Sequence, residues 1–110
     1  MIQPSVSFTE NLQQMPSIEG LAYIELKDQT GEVVATIENK PGKQGSLKIY
    51  QYLQLTFGEL NAQAAAHGLE VFAEHTIDAK NRPGAHPNID RLLDIVDGAS
   101  PMNIHLVHAD

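Results

Sequence analysis

The sequence contains no cysteine and no tryptophan, and its basic residues are few. Without cysteine, disulfides, thiolate metal sites and cysteine catalysis are excluded. A small domain without disulfides is compatible with the reducing cytosol. Lys and Arg number 7 against 14 Asp and Glu, which gives a net charge of −7. Because an acidic surface repels nucleic-acid phosphates and anionic lipids, we expect no nucleic-acid partner and no membrane partner.

Long apolar runs are also missing, and aromatic residues make up only 5% of the chain. No run approaches the ~20 apolar residues that cross a bilayer. Residues 1–8 lack the basic start and the apolar centre of a signal peptide. These features predict a cytoplasmic protein with a mainly aliphatic core. No cofactor-binding motif is present, so no cofactor is expected.

The 110 residues fit one domain, with an N-terminal helical segment at 1–18 and an α+β core at 19–110. Apolar periodicity and turn residues predict the order α-β-β-α-α-β-α-β. The predicted elements are a helix at 8–15, a hairpin at 22–27 and 33–38, helices at 46–57 and 59–67, a strand at 69–76, a helix between Asn88 and Gly98, and a strand at 102–108. Because strand–helix–strand units normally form right-handed crossovers with parallel strands, we expect a four-stranded mixed sheet with helices mainly on one face.

Three stretches carry a family resemblance: PSIEG at 16–20, IENKPGKQGS at 37–46 and AEHTIDAKNRPGAHPNIDRLL at 73–93. Together they resemble a family of short bacterial proteins known only as a domain of unknown function. The resemblance implies a bacterial, cytosolic protein. It supplies no activity, cofactor or catalytic residue, so any function must be argued from the residues themselves.

Residues 40–48 combine a glycine-containing loop with the start of a predicted helix. The first four N–H groups of a helix lack intrahelical partners and attract anions. No acidic residue follows the predicted N-cap, Ser46, in the first turn, and 3 of the 7 basic residues fall within 40–48. We therefore expect phosphate, sulfate or a carboxylate to bind here. The predicted ligand-binding residues are Lys40, Lys43, Gly45 and Ser46, with Arg82 and His86 facing them.

The same loop is also consistent with a solvated turn whose glycines allow positive φ. It is not a phosphate-binding P-loop, because Gly42 and Gly45 are too close and no lysine precedes Ser46. The alternative function is that of a non-catalytic interaction protein, acting through a sheet edge or a homodimer surface.

A second polar group lies between the predicted strand at 69–76 and the last helix. His75 is a candidate general acid or base, which Glu74 or Asp78 could orient. The structural alternative is that His75 bonds a backbone group, while Arg82 and Arg91 pair with nearby aspartates. No nucleophile accompanies the base, so whether the protein is an enzyme stays open.

The five histidines do not define a metal site. The sequence has no H-E-x-x-H pattern. His105 and His108 point to opposite faces of a regular strand and cannot easily share an ion. No metal is therefore expected.

Overall fold

Five helices and three strands make up the fold of residues 1–109, which a computed structural model describes. The elements are α1 (Phe8–Gln13), β1 (Leu21–Lys27), β2 (Val33–Glu38), α2 (Gln44–Phe57), α3 (Ala62–Phe72), α4 (Glu74–Asn81), α5 (Pro87–Val96) and β3 (Asn103–His108). The predicted α+β class is confirmed. No helix within the described residues is long and apolar enough to cross a bilayer.

The predicted hairpin is present as the antiparallel pair β1 and β2. The Gly31 N–H donates to the Asp28 carbonyl oxygen at 3.0 Å, which closes the turn. Gly31 has a φ of 90°, which glycine adopts without strain. The Asp28 carboxylate accepts hydrogen bonds from the Thr30 and Glu32 N–H groups and so fixes the turn further.

The sheet has three strands within the described residues, and all of its pairing is antiparallel, in the order β2-β1-β3. β3 pairs with β1, so that Ile24 lies opposite Leu106 and Leu26 opposite Ile104. The predicted four-stranded mixed sheet with a parallel crossover is therefore wrong. α2 contacts all three strands, and the core lies between α2 and the apolar side of the sheet.

The missing fourth strand is the segment 69–76, which forms the end of α3 and the start of α4 instead. Leu69, Phe72 and Thr76 have the helical spacing i, i+3, i+7, and the same segment also fits the alternation of a strand. Ala73 separates the two helices with a φ of 53°, an uncommon conformation for a residue other than glycine. The Thr76 hydroxyl donates to the Leu69 carbonyl oxygen at 2.6 Å, which stabilises this junction.

Small residues let α3 pack closely against its neighbours. Gly68 lies inside α3, so the prediction that this helix spans only 59–67 is wrong. A Cβ atom on Gly68 would lie 2.9 Å from Leu92 Cδ1 and 3.0 Å from Leu53 Cδ1. Ala64 and Ala65 are fully buried on the same helix. α3 therefore packs closely against α2 and α5.

α1 is attached to the core through one buried polar side chain. Asn11 is fully buried. Its Nδ2 donates to the carbonyl oxygens of Ser5 and Val71, both at 3.0 Å, and its Oδ1 accepts from the Ser5 N–H at 2.7 Å. Val71 belongs to the last turn of α3, where carbonyl groups lack intrahelical partners. Ser7 is the N-cap of α1, since its Oγ accepts from the Glu10 N–H at 3.3 Å.

Candidate functional site

A cleft of about 670 Å³ lies between the start of α2, α1 and the segment from α4 to α5. Both polar regions of the sequence, 40–48 and 74–91, contribute to its lining. Its polar residues are Thr36, Lys43, Gln44, Ser46, His75, His86, Asn88 and Arg91. Its other residues are Phe8, Leu12, Ile37, Gly42, Gly45, Phe72, Ala85, Pro87 and Ile89.

α2 begins at Gln44, two residues earlier than predicted, with Lys43 as its N-cap residue. No side chain caps this end. Leu47 is the first residue of the helix whose N–H has a backbone acceptor, the Lys43 oxygen at 3.1 Å. The N–H groups of residues 44–46 have no acceptor among residues 1–109. The predicted capping role of Ser46 is therefore wrong, because Ser46 lies within the first turn.

Gly45 is explained by packing rather than by backbone conformation. Of the two glycines in the loop and the first turn, only Gly42 has a positive φ, at 86°. A Cβ atom on Gly45 would lie 2.6 Å from Phe8 Cζ and 3.7 Å from Leu12 Cδ1. A glycine is needed here because the Phe8 ring of α1 lies directly against the first turn of α2.

The lysines of the loop have different surroundings. Lys40 Nζ lies 3.0 Å from Glu38 Oε2, and Lys40 does not line the cleft. The hydrogen bond and charge of Lys40 lower the pKa of Glu38, with a smaller effect from Lys43. Lys43 lines the cleft and forms no ion pair within the described residues. Of these two predicted ligand residues, only Lys43 has a free ammonium group at the cleft.

Asp78 connects Arg82 to His86. Its carboxylate accepts hydrogen bonds from the guanidinium of Arg82, through Nε at 2.9 Å and through Nη2, and lies 2.6 Å from His86 Nε2. These bonds, first that of Arg82, hold the pKa of Asp78 well below its usual range. The predicted Arg82–Asp78 pairing is confirmed. Arg82 lies outside the cleft lining and reaches the cleft only through Asp78 and His86.

His75 lies in the first turn of α4 and not on a strand. Its ring meets the Phe8 ring edge to face, with centroids 4.5 Å apart, and lies 5.9 Å from the His86 ring. Glu74 Oε1 accepts from the Phe8 N–H at 2.7 Å, which lowers the pKa of Glu74. Neither Glu74 nor Asp78 hydrogen-bonds His75, so the expected orienting partner is absent in this geometry.

Arg91 and Asn88 are cleft residues that sequence reasoning did not select as ligand-binding. Arg91 Nη1 donates to Tyr50 Oη at 3.1 Å and to Asn88 Oδ1 at 3.0 Å. The Tyr50 hydroxyl donates to the Asn88 carbonyl oxygen at 2.6 Å, and burial raises the pKa of Tyr50 to about 12. Arg91 is thus fixed by neutral groups, and it forms no ion pair with an aspartate within residues 1–109. The i, i+3 spacing of Asn88 and Arg91 was the available signal.

Within the part of the chain that the structure describes, the lining contains no Asp and no Glu, although the full sequence has 14 acidic residues. Two nearby carboxylates bond to groups outside it: Glu38 to Lys40 and Asp90 to the Gly84 N–H. Two others bond to lining residues, Glu74 to the Phe8 N–H and Asp78 to His86, so both are already hydrogen-bonded. Lys43 and Arg91 supply full positive charges, and the start of α2 adds partial positive charge. The cleft is therefore locally cationic in an acidic protein. Among the described residues, no group of three or more His, Asp or Glu side chains is placed to hold a metal ion.

The structure thus combines a small α+β fold with a cleft whose lining, among residues 1–109, has Lys43 and Arg91 but no Asp or Glu. Residues 8–106 match the model of a family described as an uncharacterized protein conserved in bacteria (DUF2322), so the chain belongs to that family. The resemblance noted in the sequence is confirmed, and the match includes every residue of the cleft lining. No curated protein and no solved structure matches the chain significantly.

Proposed function

We propose that the protein is a binding module for a small anion that carries a phosphate or a carboxylate. The observation that supports this proposal is the set of three N–H groups at residues 44–46 that have no acceptor among residues 1–109. They lie in a cleft whose described lining has no carboxylate. Such groups at a helix start donate hydrogen bonds to anions, and the helix dipole adds to the attraction.

In this proposal the charged side chains act on two sides of the anion. Lys43 provides a mobile point charge beside the N–H groups. Arg91, which Tyr50 and Asn88 hold in place, offers a guanidinium whose remaining N–H groups could donate to anion oxygens. His86 adds a ring whose orientation Asp78 fixes. Lys40 and Arg82 are bonded to Glu38 and Asp78, so we assign them no direct contact with the ligand.

Thermal denaturation with inorganic phosphate tests the proposal. Phosphate at ten times its Kd should add about 1.4 kcal/mol to the free energy of unfolding, or roughly 6 °C in Tm for a domain of this size. Lys43→Ala should remove most of that rise. Lys80→Ala is the matched control, because Lys80 is an exposed lysine of α4 outside the lining. Sodium chloride at equal ionic strength separates binding from screening. A Tm that phosphate leaves unchanged, or raises equally in both variants, contradicts the proposal.

A second candidate function is self-association through β2, an edge strand of the sheet. Val33 and Val34 on this strand are 41% and 48% exposed, and an edge strand has unpaired N–H and C=O groups that a second copy could bond. Light scattering after gel filtration should then give a dimer mass, and Val34→Lys should give a monomer. A monomer at all concentrations would exclude this candidate.

We also propose the cytoplasmic location that the sequence predicts, in agreement with the absence of cysteine. Fractionation of a bacterium that expresses the protein tests it. Recovery with periplasmic or secreted marker proteins would contradict it.

A further inference from the structure

One side of the cleft is a continuous row of aromatic rings. Phe8 stacks on Phe72 with centroids 5.9 Å apart and meets His75 edge to face at 4.5 Å, and His75 lies 5.9 Å from His86. Aromatic residues are scarce in this protein, yet two of its three phenylalanines line the cleft. With His75 and His86, four rings therefore line the candidate site.

The ring of Phe8 connects the aromatic row to the anion-binding groups. Its Cζ atom lies so close to Gly45 that a Cβ atom there would be 2.6 Å away. Gly45 is one of the three residues whose N–H groups have no acceptor in the described part of the chain. The aromatic row therefore begins beside the first turn of α2, and Phe8 is only partly buried by its neighbours. A molecule bound to that turn would have apolar surface directly beside it.

The size of the cleft also exceeds what a bare anion needs. The cleft measures about 670 Å³. One water molecule occupies about 30 Å³ of liquid, and phosphate is only a few times larger. Pockets of roughly 300–1,000 Å³ hold ligands of drug or metabolite size. Inorganic phosphate would leave most of the cleft filled with water.

From the aromatic row, its contact with the first turn of α2 and the size of the cleft, we infer that the ligand is an anion attached to an aromatic ring. The phosphate or carboxylate lies at Lys43 and the N–H groups of residues 44–46, and the ring packs on Phe8 and the neighbouring His75. The inference rests on the proposed function, because the anionic group fixes which end of the ligand lies at α2. Aromatic rings pair favourably in stacked or edge-to-face geometry, and the positive charges disfavour an aromatic cation.

Isothermal titration with phenyl phosphate, methyl phosphate and phenol separates the contributions of the ring and the anion. Phenyl phosphate should bind at least tenfold more tightly than methyl phosphate, and phenol should bind weakly. Phe8→Leu should reduce the phenyl preference severalfold. Phe57→Leu is the matched control, since Phe57 is the phenylalanine outside the cleft lining. Because Phe8→Leu could disturb α1, nuclear Overhauser effects between the ligand ring and Phe8 in the unaltered protein provide a second measurement.

The outcomes distinguish this inference from the proposed function. Equal affinity for phenyl and methyl phosphate, with loss of both in Lys43→Ala, would overturn the inference and leave anion binding intact. Binding of phenol as tight as that of phenyl phosphate, unaffected by Lys43→Ala, would overturn both. Absence of binding by all three compounds would also overturn both.

Discussion

Replacing the buried Asn11 with alanine should destabilise the fold more than replacing Asn61 with alanine. The buried side chain makes three hydrogen bonds, two to Ser5 and one to Val71. A typical hydrogen bond contributes about 1 kcal/mol, and buried groups left without partners add to the loss. We therefore expect the free energy of unfolding to fall by about 3 kcal/mol, and Tm by roughly 12 °C or more.

Asn61→Ala is the control for this substitution. Asn61 caps α3 with a single hydrogen bond from the Ala64 N–H at 2.8 Å, so its loss should cost about 1 kcal/mol. Urea denaturation of both variants, followed by circular dichroism, gives the two free energies directly. If Asn11→Ala costs no more than Asn61→Ala, the argument that Asn11 attaches α1 to α3 is wrong.

Three further predictions concern packing and pH. Gly45→Ala should displace the Phe8 ring and weaken phenyl phosphate binding at least threefold by titration, while binding of methyl phosphate changes less. Burial lowers the pKa of His67 in the folded protein, so the unfolded chain binds a proton at this residue more readily. The free energy of unfolding should therefore fall as pH drops below about 6.5. His67→Gln should flatten this part of the pH profile. The pKa of Asp78 is also lowered in the folded protein, so its stabilising contribution should be present at neutral pH and lost as pH falls below about 3.9. Urea denaturation should show this loss in the unaltered protein and not in Asp78→Asn.

Local patterns in the sequence predict most of the elements correctly. The hairpin with its turn at Asp28, the long α2 ending at Gly58, the amphipathic α5 and the last strand all follow from periodicity and turn residues. The strand prediction for the segment 69–76 is wrong because these eight residues fit both the strand and the helix pattern. The deciding feature is the φ of 53° at Ala73, which separates α3 from α4 and which no local rule predicts for alanine.

In the candidate site, too, local sequence patterns identify single residues, whereas contacts between distant segments appear only in the fold. Lys43 and His86 were selected from the sequence, but only the fold brings their two segments to one cleft. For Arg91 the sequence favours pairing with nearby aspartates. Its contact with Tyr50 joins residues 41 positions apart, so no spacing in the sequence indicates it. Likewise, Gly45 was interpreted through the loop itself, whereas its neighbour is the distant Phe8.

The shortness of α1 has a consequence for the motions of the protein. An isolated helix of 6 residues is unstable in water, so α1 depends on its contacts through Asn11, Phe8 and the Glu74 carboxylate. Segments with few such contacts detach locally before the whole molecule unfolds. Release of α1 would remove one wall of the cleft, so a ligand bound in the cleft should oppose the local detachment of α1. A ligand that packs on Phe8 should therefore slow hydrogen exchange at the amides of α1 selectively, well before it changes exchange in the sheet.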